Sequence, residues 1–370
     1  MSRTTTLPAA LGVIALAGAC LTAAGPVSAS AARAEAPVTT AAGLFSPLSV
    51  AVAPNGTRYF SENFAGVLKR QKPGTKPRVV YRAKPGVEVG AVSERRGKVR
   101  FALSKDQKLA QLMELGRNGK ARKVADLGAY ETKRNPDRGI TYGFRGIDAE
   151  CAAQFPEGPP ASYRGIVESH PYATAQAAGG TTYVADAAAN AVLAVGKSGR
   201  IRTVAVLPPA PLKVSAEFAE MAKMPACAVG RTYHFESVPT DVEVGPGGIL
   251  YVSTLPGGPE DGSLGAAASV YKVNPRTGKV GKVAGGLVSA TGLAVSPSGN
   301  VFVAELFGGR IVRIPAGASK GYTFAQVSMP GDVEWTRRGI FATTNVLTGL
   351  SGQPGDVPKG SLVRFPFSRG

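Results

Sequence analysis

The sequence predicts an all-β fold, a six-bladed β-propeller closed by its N-terminal strand and carrying two long loop insertions. Three observations predict it: six copies of one short-strand unit, turn chemistry between the strands, and a lone first strand where the last copy lacks a fourth. The clearest copy is Leu287 to Ile314. Thr291 to Ser296 reads as a first strand, Val301 to Glu305 as a second and Arg310 to Ile314 as a third. The turn Pro297-Ser298-Gly299 and Gly309 separate them, and the apolar residues alternate as in antiparallel strands. One such unit cannot bury both faces of its sheet, so it needs neighbours.

The copies align on their second strands: Tyr59 to Glu62, Arg100 to Leu103, Tyr183 to Asp186, Tyr251 to Thr254, Phe302 to Glu305 and Ile340 to Thr343. The third position in each is Ser or Ala, which lets stacked sheets approach closely. The copies span 44–82, 86–127, 166–207, 238–284, 287–327 and 328–367, a period of roughly 40 residues. A seven-bladed or irregular β-array is the competing reading, because the long connections have room for further strands.

Taken in order, residues 1–31 read as a secretion signal, with Arg3 at its start and Ala29-Ser30-Ala31 as a cleavage site. Lipid anchoring through Cys20 is the alternative, although the large apolar residue sits one position too far upstream. No later stretch is apolar enough to span a bilayer. Ala36 to Gly43 is the lone strand, and pairing it with the last copy removes two sheet edges. The connections from Gly128 to Ile166 and from Pro208 to Val238 are long enough to be functional or covering elements. Ser215 is an N-cap for one short helix ended by Pro225, and Asp148 to Ala152 is a second helical turn. With the signal removed, Cys151 and Cys227 remain, one in each connection. In an exported chain they are expected to pair as a disulfide.

The chain has 370 residues and a formal charge of +18. Its basic residues crowd the first two copies, from Lys69-Arg70 to Arg122-Lys123. Such a face suits an anionic cell-wall polymer, or it is simply solvated. No aromatic residues interleave these charges and no nucleic-acid-binding signature is present, so specific nucleic-acid binding is not expected.

Several segments then resemble the ScyD/ScyE family of exported bacterial proteins. They are Asn135-Pro136-Asp137, His170-Pro171-Tyr172, Thr182 to Asn190, Thr203 to Pro209, Val238 to Val242 and Leu255-Pro256-Gly257-Gly258-Pro259. The resemblance spans nearly the whole mature chain. It implies a six-bladed propeller related to NHL and SMP-30-type repeats, and no settled reaction or catalytic residues.

Propeller ligands sit at the mouth of the central channel. The residues expected there are Glu88, His170, Thr240, Asp241, Thr291 and Asp332, with Ser46 to Ser49 and Ser169 nearby. Each of these also reads as an ordinary strand-start residue. In an SMP-30-like lactonase, Glu, Asn and Asp at such places hold Ca or Mg, which polarises the ester and activates water. Here only Glu88, Asp241 and Asp332 are carboxylates, and the Asn ligands are missing. Ser169 and His170 are adjacent on a strand and point to opposite faces, which excludes a nucleophile–base pair. Gly317 to Gly321 matches G-x-S-x-G without the strand–turn–helix context of a nucleophile elbow. Asn55-Gly56-Thr57 reads as turn chemistry, and Asp186 and Glu305 as turn-binding carboxylates. The expected role is a non-catalytic binding module for a small molecule, glycan or protein, with metal-dependent hydrolysis of a lactone or ester as the alternative.

Overall fold

The computed structural model describes residues 35–106, 109–116, 118–155, 160–259, 261–351, 353 and 355–367. The expected secretion signal and Cys20 lie outside them. The described chain is nearly all β, with seven four-stranded antiparallel sheets. Among the described residues, no helix is long and apolar enough to cross a membrane.

Six sheets carry the repeats, and five of them are built from consecutive strands. Sheet 1 starts with Val50–Val52 and ends with Arg78–Arg82. Sheet 2 runs from Glu88–Arg95 to Ala121–Asp126, and sheet 3 from Pro171–Gln176 to Ile201–Val206. Sheet 4 runs from Ser237–Val244 to Val280–Leu287, and sheet 5 from Ala290–Val295 to Tyr322–Gln326. Sheet 6 has Val333–Thr336, Gly339–Thr344 and Gly360–Pro366, and its fourth strand is Val38–Leu44 from the other end of the chain. That pairing is antiparallel, with Val38 opposite Arg364 and Leu44 opposite Gly360.

Each first strand touches the first strand of the next sheet, and that of sheet 6 touches that of sheet 1. Apolar side chains fill every one of these joints. Phe60 and Val50 of sheet 1 meet Phe341, Leu362 and the N-terminal Leu44 of sheet 6. Phe101 and Val89 of sheet 2 pack on Ala51 and Leu68 of sheet 1. Middle strands are therefore covered on both faces, and Thr182–Asp186, Ala191–Val195 and Val301–Glu305 are buried along their whole length. Outer strands such as Arg78–Arg82 keep a mostly exposed pattern. The small third residues Ser61, Ala102, Ala185, Ser253, Ala304 and Ala342 are all buried, as close sheet stacking requires. Gly56 and Gly299 hold φ of 82° and 85° at matching turns, the left-handed region that glycine adopts without strain.

The two long connections do more than cover a face. Each supplies two strands to a seventh sheet, in the order Ser162–Arg164, Thr141–Phe144, Thr232–Phe235, Ala210–Lys213. The two halves join where Phe144 faces Tyr233. This corrects the expectation of plain loop insertions. The physical reason is local: strands of three and four residues are too short to show a period, and their partners lie in a distant part of the chain. The insert has its own core of Phe144, Val214, Phe218, Met224, Tyr233 and Phe235. Cys151 and Cys227 are bonded across it, with their Cα atoms 5.9 Å apart. The expected helices are present. Ser215 accepts from the Phe218 amide to cap Ala216–Met221, and Asp148 accepts from the Cys151 amide to cap Ala149–Ala152.

Candidate binding site

Of the six expected mouth residues, the structure brings two to an open cavity. His170 Nε2 lies 3.8 Å from Glu88 Oε2. With Lys105, Asp106, Glu168 and Ser169 they surround about 170 Å³. Ser169 does not face the imidazole. Its hydroxyl donates to Asp186 Oδ2 at 2.6 Å, while the His170 amide donates to Asp186 Oδ1 at 2.7 Å. Asp186 is therefore a turn-binding carboxylate. Glu305 accepts the Val288 amide at 2.9 Å, and Glu62 accepts the Phe45 amide at 2.9 Å, from the same place in their sheets.

The other four residues tie neighbouring sheets together. Thr240 donates to the Ala290 carbonyl at 2.7 Å, and Thr291 to the Pro330 carbonyl at 3.3 Å. Asp241 accepts the amides of Val242 and Leu293 at 2.7 and 2.6 Å. Asp332 accepts those of Val333 and Val50 at 2.7 Å each. In both aspartates, each carboxylate oxygen already holds one amide of the chain. Gly292 belongs to the same joint, since a Cβ there would lie 2.6 Å from Asp332 Cα.

Two carboxylates on the first strands escaped the sequence reading. Glu243 and Glu334 follow Asp241 and Asp332 by two residues, and Glu334, Asp241 and Asp332 all act on Glu243. That i, i+2 repeat of acids was the available signal. With Glu94, Arg95, Arg96 and Gln176, Glu243 and Glu334 line a cavity of about 380 Å³. Burial pushes Glu334 up to about 8, and Asp241 adds to the shift. Burial also raises Glu243, helped by Glu334, Asp241 and Asp332. Asp241 rises to about 7 by burial, its two amide donors opposing the shift.

A further cavity of about 500 Å³ lies against the insert. Its walls include the rings of Tyr163, Phe218, Tyr233 and Phe235, the carboxylate of Glu236, and Lys223. Gly257 and Gly258 form one wall. A Cβ on Gly257 would stand 3.0 Å from Glu236 Oε2, and one on Gly258 would stand 2.9 Å from Leu264 Cδ1. Side chains at either position would crowd these neighbours. Burial raises the Glu236 pKa and Asp137 adds to it, while hydrogen bonds from Tyr163 and Asn190 offset part of the shift.

Behind Glu236 lies a buried polar cluster. Asp137 Oδ2 accepts from Asn190 Nδ2 at 2.9 Å and from the Tyr142 hydroxyl at 3.0 Å. Glu131, on the helix Leu127–Arg134, is pushed up to about 8 by burial, with Asp186 and Asp137 adding to the shift. The Glu168 amide opposes this, although it makes no aligned hydrogen bond. Segments that are far apart in sequence thus converge: Asn135-Pro136-Asp137, Asp186 to Asn190, and Leu255 to Pro259 beside Glu236. The sequence marked these segments without locating them together, because the insert that gathers them was not legible. A wider groove of about 870 Å³ lies on the outer rim, lined by Arg134, Arg138, Arg200 and Arg202. It is open, and none of its lining residues is acidic.

No known protein family matches the sequence, and no curated protein matches it. Solved structures do resemble it. One is a gluconolactonase from Xanthomonas campestris, with a TM-score of 0.54 and 12% identity, covering 92% of this chain and 93% of that one. A luciferin-regenerating enzyme gives a TM-score of 0.55 at 9% identity, covering 89% and 95%. An aldose sugar dehydrogenase from Streptomyces coelicolor gives 0.52 at 15%, covering 88% and 96%. The structures it resembles are β-propeller proteins. The fold is a β-propeller. At these identities the likeness shows the fold alone, since propellers carry unrelated activities.

Proposed function

We propose that this chain is an exported, six-bladed β-propeller of ScyD/ScyE type, closed by its N-terminal strand, that binds a small ring-bearing molecule or glycan at the insert. The cyclic contacts of the six first strands support the blade count. The Cys151–Cys227 disulfide supports export, because such bonds persist in oxidising compartments. The observation that carries the binding reading is the 500 Å³ cavity, lined by four aromatic residues and one acidic residue, Glu236. Aromatic faces cover sugar or other rings, and a carboxylate fixes a hydroxyl or cationic group. Its volume falls in the range of small-ligand sites. A thermal-shift screen of mono- and disaccharides and of cationic ring compounds tests this. The expected result is a hit whose shift is lost in Tyr163→Ala and Glu236→Gln and kept in His170→Ala. A hit lost in His170→Ala and kept in the other two moves the site to the Glu88 cavity.

A second reading is metal-dependent hydrolysis of a lactone or ester with Ca or Mg. The observation favouring it is the set of four carboxylates along the first strands, Asp241, Glu243, Asp332 and Glu334. Against it, both oxygens of each aspartate already hold backbone amides. Turnover of simple lactones that depends on added divalent ion and is lost in Glu243→Gln would establish it. The exposed basic residues of sheets 1 and 2 and the rim arginines suit an anionic wall polymer as a further partner.

A further inference from the structure

Five buried oxygens in the polar cluster have no hydrogen-bond partner: both of Glu131, and one each of Asn135, Asp137 and Asn190. Glu131, Asp137 and Asn190 are at most 1% exposed. The two amide groups cannot simply be turned round. Asn190 Nδ2 donates to Asp137 at 2.9 Å and Asn135 Nδ2 donates to the Gly165 carbonyl at 3.0 Å, so a flip would set oxygen against oxygen. An unpartnered buried acceptor is destabilising, and here several lie within one cluster.

We propose that Glu131, Asn135, Asp137 and Asn190 hold a hard divalent cation, calcium by its chemistry. A proton on Glu131 would supply one donor and a water two, which leaves acceptors over in either case. A cation placed among them would serve several at once. Every donor is an oxygen, which suits calcium or magnesium and not zinc or copper. Calcium accepts an irregular set of carboxylate and amide oxygens with water completing the shell, whereas magnesium demands a near-ideal octahedron. Among the described residues no three Asp, Glu, His or Cys side chains group as a metal cage. The set is instead two carboxylates and two amides, balancing the ion's charge. Its elements are fixed from three directions: the helix Leu127–Arg134 with Asn135 at its C-cap, the turn that follows, and the Asp186–Asn190 turn of sheet 3. The site adjoins Glu236, which interacts with Asp137 and Asn190, but it does not depend on a ligand in that cavity.

The experiment uses the signal-cleaved protein, stripped with chelator, dialysed and titrated with calcium chloride by calorimetry, with elemental analysis and melting curves. The expected result is one calcium per chain and a melting temperature that rises with calcium. Glu131→Gln and Asp137→Asn lose both the heat and the shift. Glu131→Gln without calcium melts no lower than the stripped wild type, because its amide supplies donors to a cluster that lacks them. Absence of stoichiometric calcium in the wild type overturns the proposal. So does an ion kept in Glu131→Gln, or one lost in Glu243→Gln and kept in Glu131→Gln, which would place it among the first-strand carboxylates.

Discussion

The six repeat sheets and the insert are built by opposite means. In the repeats, each joint is apolar and each sheet supports two neighbours, so stability is shared around the molecule. In the insert, one small core and one disulfide hold strands of three and four residues. The first region is a frame in which polar side chains mostly tie backbone. The second adds a cavity lined by aromatic residues and Glu236. Regularity stabilises the protein, and departure from it makes a site.

The largest expected effect comes from breaking the frame. Deleting residues 36–43 removes most of the strand paired with Gly360–Pro366 and uncovers the joint around Phe60 and Phe341. Because the joints are cyclic, the whole molecule should lose its cooperative melting transition. An unchanged calorimetric melt would show that the N-terminal strand is an accessory.

Breaking the insert should stay local. The disulfide closes a separation of 76 residues, for which the chain-entropy relation gives about 4.5 kcal/mol as an upper value. Replacing Cys151 and Cys227 by Ser should raise hydrogen exchange across 141–164 and 210–235 and leave sheets 1, 5 and 6 protected. Equal deprotection everywhere would mean that the insert is part of the frame.

The difference between the regions also explains what could be read in the sequence. Tyr183-Val184-Ala185-Asp186 and its five counterparts recur because every sheet meets the same packing problem, and recurrence is visible without a structure. The Ser215 cap was legible because capping is local chemistry, and Asp148 to Ala152 was legible as a helical turn. Tyr163, Phe235 and Glu236 carry no local signal. They become a site only when two connections pair at Gly143 and His234, a contact no short-range pattern encodes. Thr240 and Asp241 were legible as strand-start polar residues. That they grip the next sheet's backbone follows from its distance, which the sequence does not contain.

A smaller effect sharpens the comparison inside the frame. Glu243 and Glu334 are raised well above ordinary carboxylates, so the folded chain holds more protons than the unfolded chain between about pH 5 and 8. Stability should therefore fall as pH rises through that window. Glu243→Gln with Glu334→Gln should flatten a plot of melting temperature against pH and raise its value at pH 8. A double variant that keeps the wild-type slope would place the titration elsewhere.

The smallest effect concerns the surface. Arg70, Lys72, Arg78, Arg82 and Lys84 are exposed. Retention on an anionic polysaccharide column should fall steeply as salt rises, without any change in the melt. Salt-independent retention would contradict an electrostatic surface.

The measurement closest to the central claim is hydrogen exchange with and without the ligand found by thermal shift. Binding at the insert predicts protection confined to residues 160–164, 216–224, 232–236 and 255–259. Protection confined instead to residues 88–92, 103–106 and 168–172 would contradict it and return the site to the channel mouth.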